Sequence, residues 1–379
     1  MTHVLISGAS VAGPALAYWL HRHGMRATVV ERAPVVRPGG LAIDFRGSAM
    51  TVLDRMGILD EVRRHATDMG DATIVDANGS PVAVMPSAIF TGDLEVLKAD
   101  LTRILYDLTA PDTEYVFDNS ITALTEEADG VLVEFERGPA RRFDLVVGAD
   151  GVHSKVRSLA FGPEENYSRS LGYYFASFTL PNYLNLRRSG LAHLAGDRTV
   201  NIFSRSDDTE ARAGFMFPMG PETPPRDAET QRRLLSEAYA HVGWEAPRIL
   251  AELAGSPDFY FDEMSRIVMD RWSTGRVALI GDAGYCSSPM SGRGTSQALL
   301  GAYVLAGELA RSDHATAFAA HERVLRDYVA TNQDAAQQAV GSMLTEPSQE
   351  MLDAIAAAST DEDSHDYVPL DDYTDLTVS

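Results

Sequence analysis

Cysteine is almost missing from this 379-residue sequence, and Cys286 stands alone. One thiol can neither close a disulfide within the chain nor build a thiolate metal cluster, and a reducing cytoplasm is the expected compartment. Long apolar runs are missing too. The stretch Val4 to Ile6 is far too short for a signal-peptide core or a membrane span. Positive charge is scarce, with 32 Lys and Arg against 54 Asp and Glu and a formal net charge of -22. Nucleic acid and anionic lipid both call for clustered cations, so this balance argues against either as a partner. A phosphate-bearing ligand must then be held by local geometry and not by the global field. No Ser/His/Asp array, metal-ligand cluster or internal repeat stands out, and no metal is expected.

What is present suits a large α/β domain with a smaller insertion: 45% of residues are hydrophobic and 23% charged. His3 to Ser7 reads as a strand, Gly13 to His23 as a helix with Pro14 in its first turn, and Ala27 to Val30 as a second strand, together a βαβ unit. Arg46 to Arg64 reads as one helix, on the spacing of Leu53, Met56, Leu59 and Val62. Ala72 to Met85 reads as a hairpin turning at Asn78-Gly79, and Phe143 to Gly148 as a buried strand. Gly172 to Pro218 alternates apolar and polar residues, the pattern of an antiparallel sheet with one covered face. Pro221 to Pro225 reads as a loop. Val277 to Gly281 returns to a buried strand, Thr295 to Ala310 and Ala315 to Leu344 read as helices, and the Asp-rich tail after Thr345 as mobile.

Three strand ends carry chemistry. Gly8-Ala9-Ser10-Val11-Ala12-Gly13 joins the first strand to its helix. A sharp turn at Gly8 lets the helix N-terminus aim unpaired N–H groups at a pyrophosphate, and Gly13 allows close helix–strand packing. Ser10 holds the position of the usual second glycine, and its small side chain still admits the backbone approach. Glu31, with Arg32 after it, ends the second strand 18 residues beyond Gly13, where a carboxylate accepts hydrogen bonds from ribose hydroxyls. This block alone fits FAD or NAD. The second block, Arg276 to Gly294, decides between them: a buried strand ends in Gly281-Asp282, and a carboxylate there suits the ribityl hydroxyls that NAD lacks. Pro289, Gly292, Arg293, Gly294 and Thr295 then lead into a helix whose N-terminus would favour the negative charge that a flavin gains on reduction. The third strand end, Asp150-Gly151, could orient Ser154, Arg157 or Lys98, contact the cofactor, or form a structural salt link.

These three blocks, in this order and spacing, resemble the class A flavoprotein monooxygenases, the para-hydroxybenzoate hydroxylase-like family that includes the tetracycline-inactivating monooxygenases. The likeness covers roughly residues 3 to 330. It implies an α/β fold with a glutathione-reductase-like FAD-binding domain (1–70, 98–170 and 266–330), an inserted, mainly antiparallel substrate sheet (71–97 and 171–265) and a C-terminal helix with an acidic tail (331–379). It implies FAD held by Gly8, Gly13, Glu31, Asp282 and the backbone at Gly292 to Gly294, with Arg46 beside the flavin ring and Lys98 where the family has Arg. The sequence departs from the family pattern in four places: Tyr285 replaces a common His, Arg293 a Gln, Ser296 an Asn, and Gly301 an acid.

The implied reaction is reduction of bound FAD by transient NADPH or NADH, then insertion of one oxygen atom of O2 into a small aromatic or polyketide-like substrate through a flavin C4a-hydroperoxide. Such a role belongs to secondary metabolism or antibiotic modification. Candidate substrate contacts are Tyr174, His193, Phe203, Arg205, Phe215, Phe217 and Pro289. A flavin-dependent halogenase or reductase on the same fold, or a non-catalytic FAD-binding protein, stands as the alternative. The isolated Trp19, Trp244 and Trp272 lack the paired tryptophans of many halogenases.

Overall fold

The computed structural model describes residues 1–36, 41–205, 209–220, 225–256, 258–343, 348–359 and 366–376. Of the loop expected at Pro221 to Pro225, only Pro225 falls among them.

Apolar runs without alternation form strands buried on both faces. Val4, Leu5 and Ile6 are fully buried in the strand His3–Ser7. That strand is central to a six-stranded sheet in the order Ser273–Thr274, Val277–Leu279, Leu145–Gly148, His3–Ser7, Arg26–Glu31, Glu114–Phe117. All its pairings are parallel except that of the first two. The three strands carrying the motifs are thus neighbours, and their carboxyl ends emerge together. The helix Ala12–Arg22 covers one face and packs against the helix Gly294–Arg311. Trp19 on the first meets Tyr303 on the second edge-on, ring centres 4.8 Å apart.

A seven-stranded sheet follows the order Tyr260–Ile267, Ser168–Pro181, Glu210–Pro218, Arg198–Ser204, Ser189–Ala195, Ala72–Val75, Pro81–Met85, antiparallel except where Ser189–Ala195 meets Ala72–Val75. The expected hairpin is present, its turn held by Asp76, whose Oδ1 accepts from the Asn78 and Ser80 N–H groups. This sheet has two distinct faces. One carries Tyr174, Phe178, Phe215 and Phe217 into a core with Leu235 of the helix Ala228–Ala238, Tyr239 that follows it, and Ile249 of the helix Ala246–Ala251. The other carries Tyr173, Phe175, Met216 and Met264, which gather with Ala336, Val340 and Met290.

Two expectations are corrected. The single helix over Arg46 to Arg64 is two, Ser48–Arg55 and Leu59–Arg64. Gly57 stands between them at φ +73°, a left-handed conformation that ends a helix. The tail is also more ordered than its composition suggests. A helix, Gln349–Ser359, lies on the outer strand of the seven-stranded sheet, where the Gln349 amide accepts from Val84 N–H and donates to Val84 O. It occupies the hydrogen-bonding edge that an open strand would offer to another chain. Residues 366–376 then return to the six-stranded sheet's side of the molecule. There the fully buried Tyr373 ring packs on the helix Gly294–Arg311 and its hydroxyl donates to Glu308 at 2.6 Å. The ring sits where a Cβ on Gly307 would be. Gly307→Ala is expected to lower the unfolding free energy by about 1–3 kcal/mol and to make residues 366–376 protease-sensitive. An unchanged denaturant midpoint and proteolysis pattern would contradict this packing.

Candidate cofactor and active site

Gly8 turns the chain at φ +109°, where a side chain would overlap the backbone of Ala149. A Cβ on Gly13 would overlap the Gly8 carbonyl oxygen. The helix that follows, Ala12–Arg22, has no side-chain cap at Val11, so its first N–H groups are left to the turn. Ser10 is half-buried and Val11 and Ala12 are buried beside it. Glu31 ends its strand as expected and accepts from the N–H groups of Ala9 and Ala33, each at 2.9 Å, which locks its carboxylate against the same turn. Arg32 is exposed.

Gly281 turns the chain at φ +59° after the strand Val277–Leu279, two places from His3–Ser7 in the same sheet, and Asp282 opens a short helix, Asp282–Tyr285. The Asp282 side chain is accessible to solvent, yet protein surrounds it closely enough that desolvation pushes its carboxyl up, with Lys98 opposing. The Cys286 thiol nearby is a weak donor whose Sγ is directed at Ser265 O, 3.8 Å away, and it also opposes the rise. Gly292 follows in the left-handed region at φ +65°, and a Cβ on Gly294 would lie 3.7 Å from Asp282 Oδ1. Pro289 is exposed and Thr295 half-buried on the same stretch.

Asp150 has a different character. Its carboxylate accepts from the Ser7 and Ser154 hydroxyls, at 3.2 and 2.5 Å, and from the N–H groups of Lys155 and Val156. Of the roles open to it, tying the third strand end to the next helix is the one these bonds describe. Arg157, also buried, donates to the carbonyls of Ala283 and Val152 and to Glu164.

Arg46 is 6% exposed. Its Nε donates to Asp44 at 2.8 Å. Burial pushes the Asp44 carboxyl up, against the pull of the Arg46 guanidinium. The Arg46 N–H reaches Ser296 Oγ at 3.4 Å, which ties this pair to the first turn of the helix Gly294–Arg311. Lys98 is exposed at the start of the helix Lys98–Thr109.

The substrate candidates are dispersed. Tyr174, Phe215 and Phe217 belong to the core beneath the flanking helices, on the sheet face opposite Met290. His193 is buried, with Nδ1 bonded to Val75 O at 2.9 Å and its ring beside Trp244. A recess of about 330 Å³ lies there, lined by Ile74, Val75, Asp76, Val82 and Leu194 and by none of the glycine-turn residues. Phe203 is half-buried, and Arg205 lies 3.8 Å from Asp100. The face that meets Met290 is instead that of Tyr173, Phe175 and Met216, and alternation marks two faces without saying which one meets the site.

Two of the sequence's departures explain each other. The Tyr285 hydroxyl occupies the place a Cβ on Gly301 would take, so loss of the usual acid makes room for the larger ring. His321 Nε2 is 3.7 Å from the same point, and neither it nor the Tyr285 hydroxyl has a hydrogen-bond partner among the described residues.

The FAD binding domain family model matches residues 1–342. An uncharacterized protein of Mycobacterium tuberculosis is 49% identical over 343 residues, covering 88% of this chain and 92% of that protein. A flavin-dependent monooxygenase of Legionella longbeachae is 39% identical over 337 residues, covering 87% and 86%. The solved structure of tetracycline destructase Tet(51) superposes with a TM-score of 0.86 at 35% identity, covering 95% of each chain. The fold is that of a flavoprotein oxidoreductase. The chain belongs to the FAD binding domain family of class A flavin monooxygenases, and it is an FAD-dependent monooxygenase.

Burial holds the His321 pKa down, to about 3 from its usual 6.5. Between those values the unfolded chain binds a proton that the folded chain does not, so stability falls as pH drops through the window. His321→Leu is expected to remove up to about 1.4 kcal/mol per pH unit of that slope. Denaturant unfolding at several pH values checks it, and equal slopes in both proteins would contradict a buried neutral imidazole.

Proposed function

We propose that the protein transfers one oxygen atom of O2 to a planar, polyoxygenated aromatic or polyketide-like molecule, consuming NADPH or NADH, as a step of secondary metabolism or antibiotic modification. The balance is substrate, O2, NAD(P)H and a proton giving oxygenated substrate, water and NAD(P)+. FAD, when bound, supplies the electron relay from nicotinamide to O2. The observation that carries the substrate class is the apolar sheet face of Phe175, Met216 and Met264, turned toward Met290 in the segment that also holds Pro289 and Gly292. The likeness to tetracycline destructase Tet(51) supports the same class.

The residues present fit the cofactor. A glycine turn without a side-chain cap suits a pyrophosphate, and Glu31 ends its strand where ribose hydroxyls would lie. Asp282, short of protein donors, suits a polyhydroxyl chain. The backbone from Gly292 to Thr295 and the following helix N-terminus suit the ring, whose reduction adds negative charge. Arg46, fixed by Asp44, stands beside it, and Lys98 faces Asp282. Asp150 acts on the cofactor through Ser7 and the strand end it secures. Phe175, Met216 and Met264 keep water from the reacting atoms and orient a flat substrate by apolar contact. In this reading residues 1–70, 98–170 and 266–330 hold FAD, 71–97 and 171–265 the substrate, and 331–379 form a C-terminal helix and acidic tail.

The test is turnover of the holoprotein with planar phenolic and polyketide compounds under labelled O2. A substrate is expected to raise NAD(P)H consumption well above its substrate-free rate and to gain one labelled oxygen, the other leaving as water. Product oxygen drawn from labelled water would contradict the reading.

A further inference from the structure

The C-terminal tail brings a carboxylate to the same turn. Asp366 is 3% exposed, although it lies in a stretch whose acidic composition favours solvent. Its two oxygens meet the Arg293 guanidinium in a forked pair, Nε to Oδ1 and Nη2 to Oδ2, the latter at 3.2 Å. Such two-point pairs fix the guanidinium's direction as well as neutralise it. Arg293 is bound in turn to the loop it belongs to: Nη1 donates to Ser291 O at 3.0 Å and its N–H to Ser291 Oγ at 3.1 Å. The backbone of Asp366 acts on the second arginine-bearing segment. Gly47, next to Arg46, is at φ +51°, and a Cβ there would overlap the Asp366 carbonyl. That carbonyl accepts from Ser48 N–H at 3.2 Å, and Ser48 Oγ exchanges hydrogen bonds with Val368 at 2.9 and 3.0 Å. The tail beyond is fixed by Arg55 on Asp371 O, by Tyr373 over Gly307 and by His23 on Leu376 O. Asp366 lies outside residues 1–342, the part of the chain that the family model matches.

We propose that Asp366 is a positioning residue of the flavin site: it enters from the tail, holds Arg293 against the Ser291–Gly294 turn and wedges under Gly47 beside Arg46. The inference rests on the reading that this turn faces the flavin ring. Arg293 stands where the family has a neutral Gln, and Asp366 supplies the counter-charge that this substitution requires. Asp44, paired with Arg46, lies beside Gly292 and acts electrostatically on Arg293, so two buried acids and two arginines share one neighbourhood. Balance in that network sets the field at the ring, and an unmatched charge of either sign shifts the ease with which the ring takes up electrons.

Opposite signs make the test specific. Asp366→Asn leaves Arg293 with less counter-charge and is expected to raise the two-electron reduction potential of bound FAD. Arg293→Gln removes one positive charge from beside Asp366 and lowers it. The double variant returns near the wild type, and Asp366→Glu rescues. A tenfold change in the equilibrium between oxidised and reduced holoprotein, about 30 mV for a two-electron couple, is the expected size in each single variant. Shifts of the same sign, or none, would overturn the proposal and leave the tail an anchor only. If Asp366→Asn retains no FAD, the double variant decides: recovery of FAD binding supports the charge balance, and no recovery overturns it. FAD titration of apo Asp282→Ala reads the site assignment by itself. Unchanged affinity there would sink the site assignment, whereas weakened affinity without opposite shifts sinks only the role of Asp366.

Discussion

The close approach of three backbones at one end of the six-stranded sheet is the constraint on which the rest depends. Gly8 lies against the backbone of Ala149, and Gly13 lies against Gly8 with no room for a side chain on either. Gly281, at a further strand end of the same sheet, turns at φ +59° beside Ala12 and Ala298. These contacts let the helices Ala12–Arg22 and Gly294–Arg311 stand beside each other at the carboxyl ends of parallel strands that flank Leu145–Gly148. In an open α/β sheet that is where ligands bind. A single Cβ at Gly8 or Gly13 would separate the helix from its strand and move both the turn and the Glu31 carboxylate it holds.

Around this frame, buried charge sets the chemistry. The chain carries a net charge of -22, yet the turn meant for an anionic cofactor depends on neighbouring N–H groups and a few placed cations. Arg46 with Asp44, Arg293 with Asp366 and Arg157 with Glu164 are each held in pairs at least partly removed from water. Removing one member of such a pair costs far more than the pair contributes, because the remaining charge is left desolvated. That asymmetry explains how an acidic tail can be part of an ordered site. Asp366 answers a specific arginine, and Tyr373 fills a gap that only Gly307 leaves.

The local parts of this arrangement were legible in the sequence. A glycine that must turn at positive φ, a strand that ends in an acid and a helix that starts just after are all written within a few residues, as at Gly8 to Glu31 and Gly281 to Gly294. What was not legible depends on distant partners. Alternation marked Tyr174, Phe175, Phe215, Met216 and Phe217 as a strand pair but could not say that the Phe175–Met216 parity meets Met290. Gly57 read as one residue in a helical spacing, when its left-handed conformation divides the helix. Tyr285 and Gly301 looked like separate departures, when one fills the space the other vacates. The Asp-rich tail read as mobile because composition does not record that Arg293, Ser48 and Gly307 await it.

The most direct measurement is a crystal structure of the FAD-loaded protein. The account predicts adenosine ribose at Glu31, pyrophosphate over the turn from Gly8 to Gly13, ribityl hydroxyls on Asp282 and the ring against Gly292 to Thr295, facing Phe175 and Met216. A ring bound at the His193 recess, or an Asp282 carboxylate that touches no part of the cofactor, would contradict it.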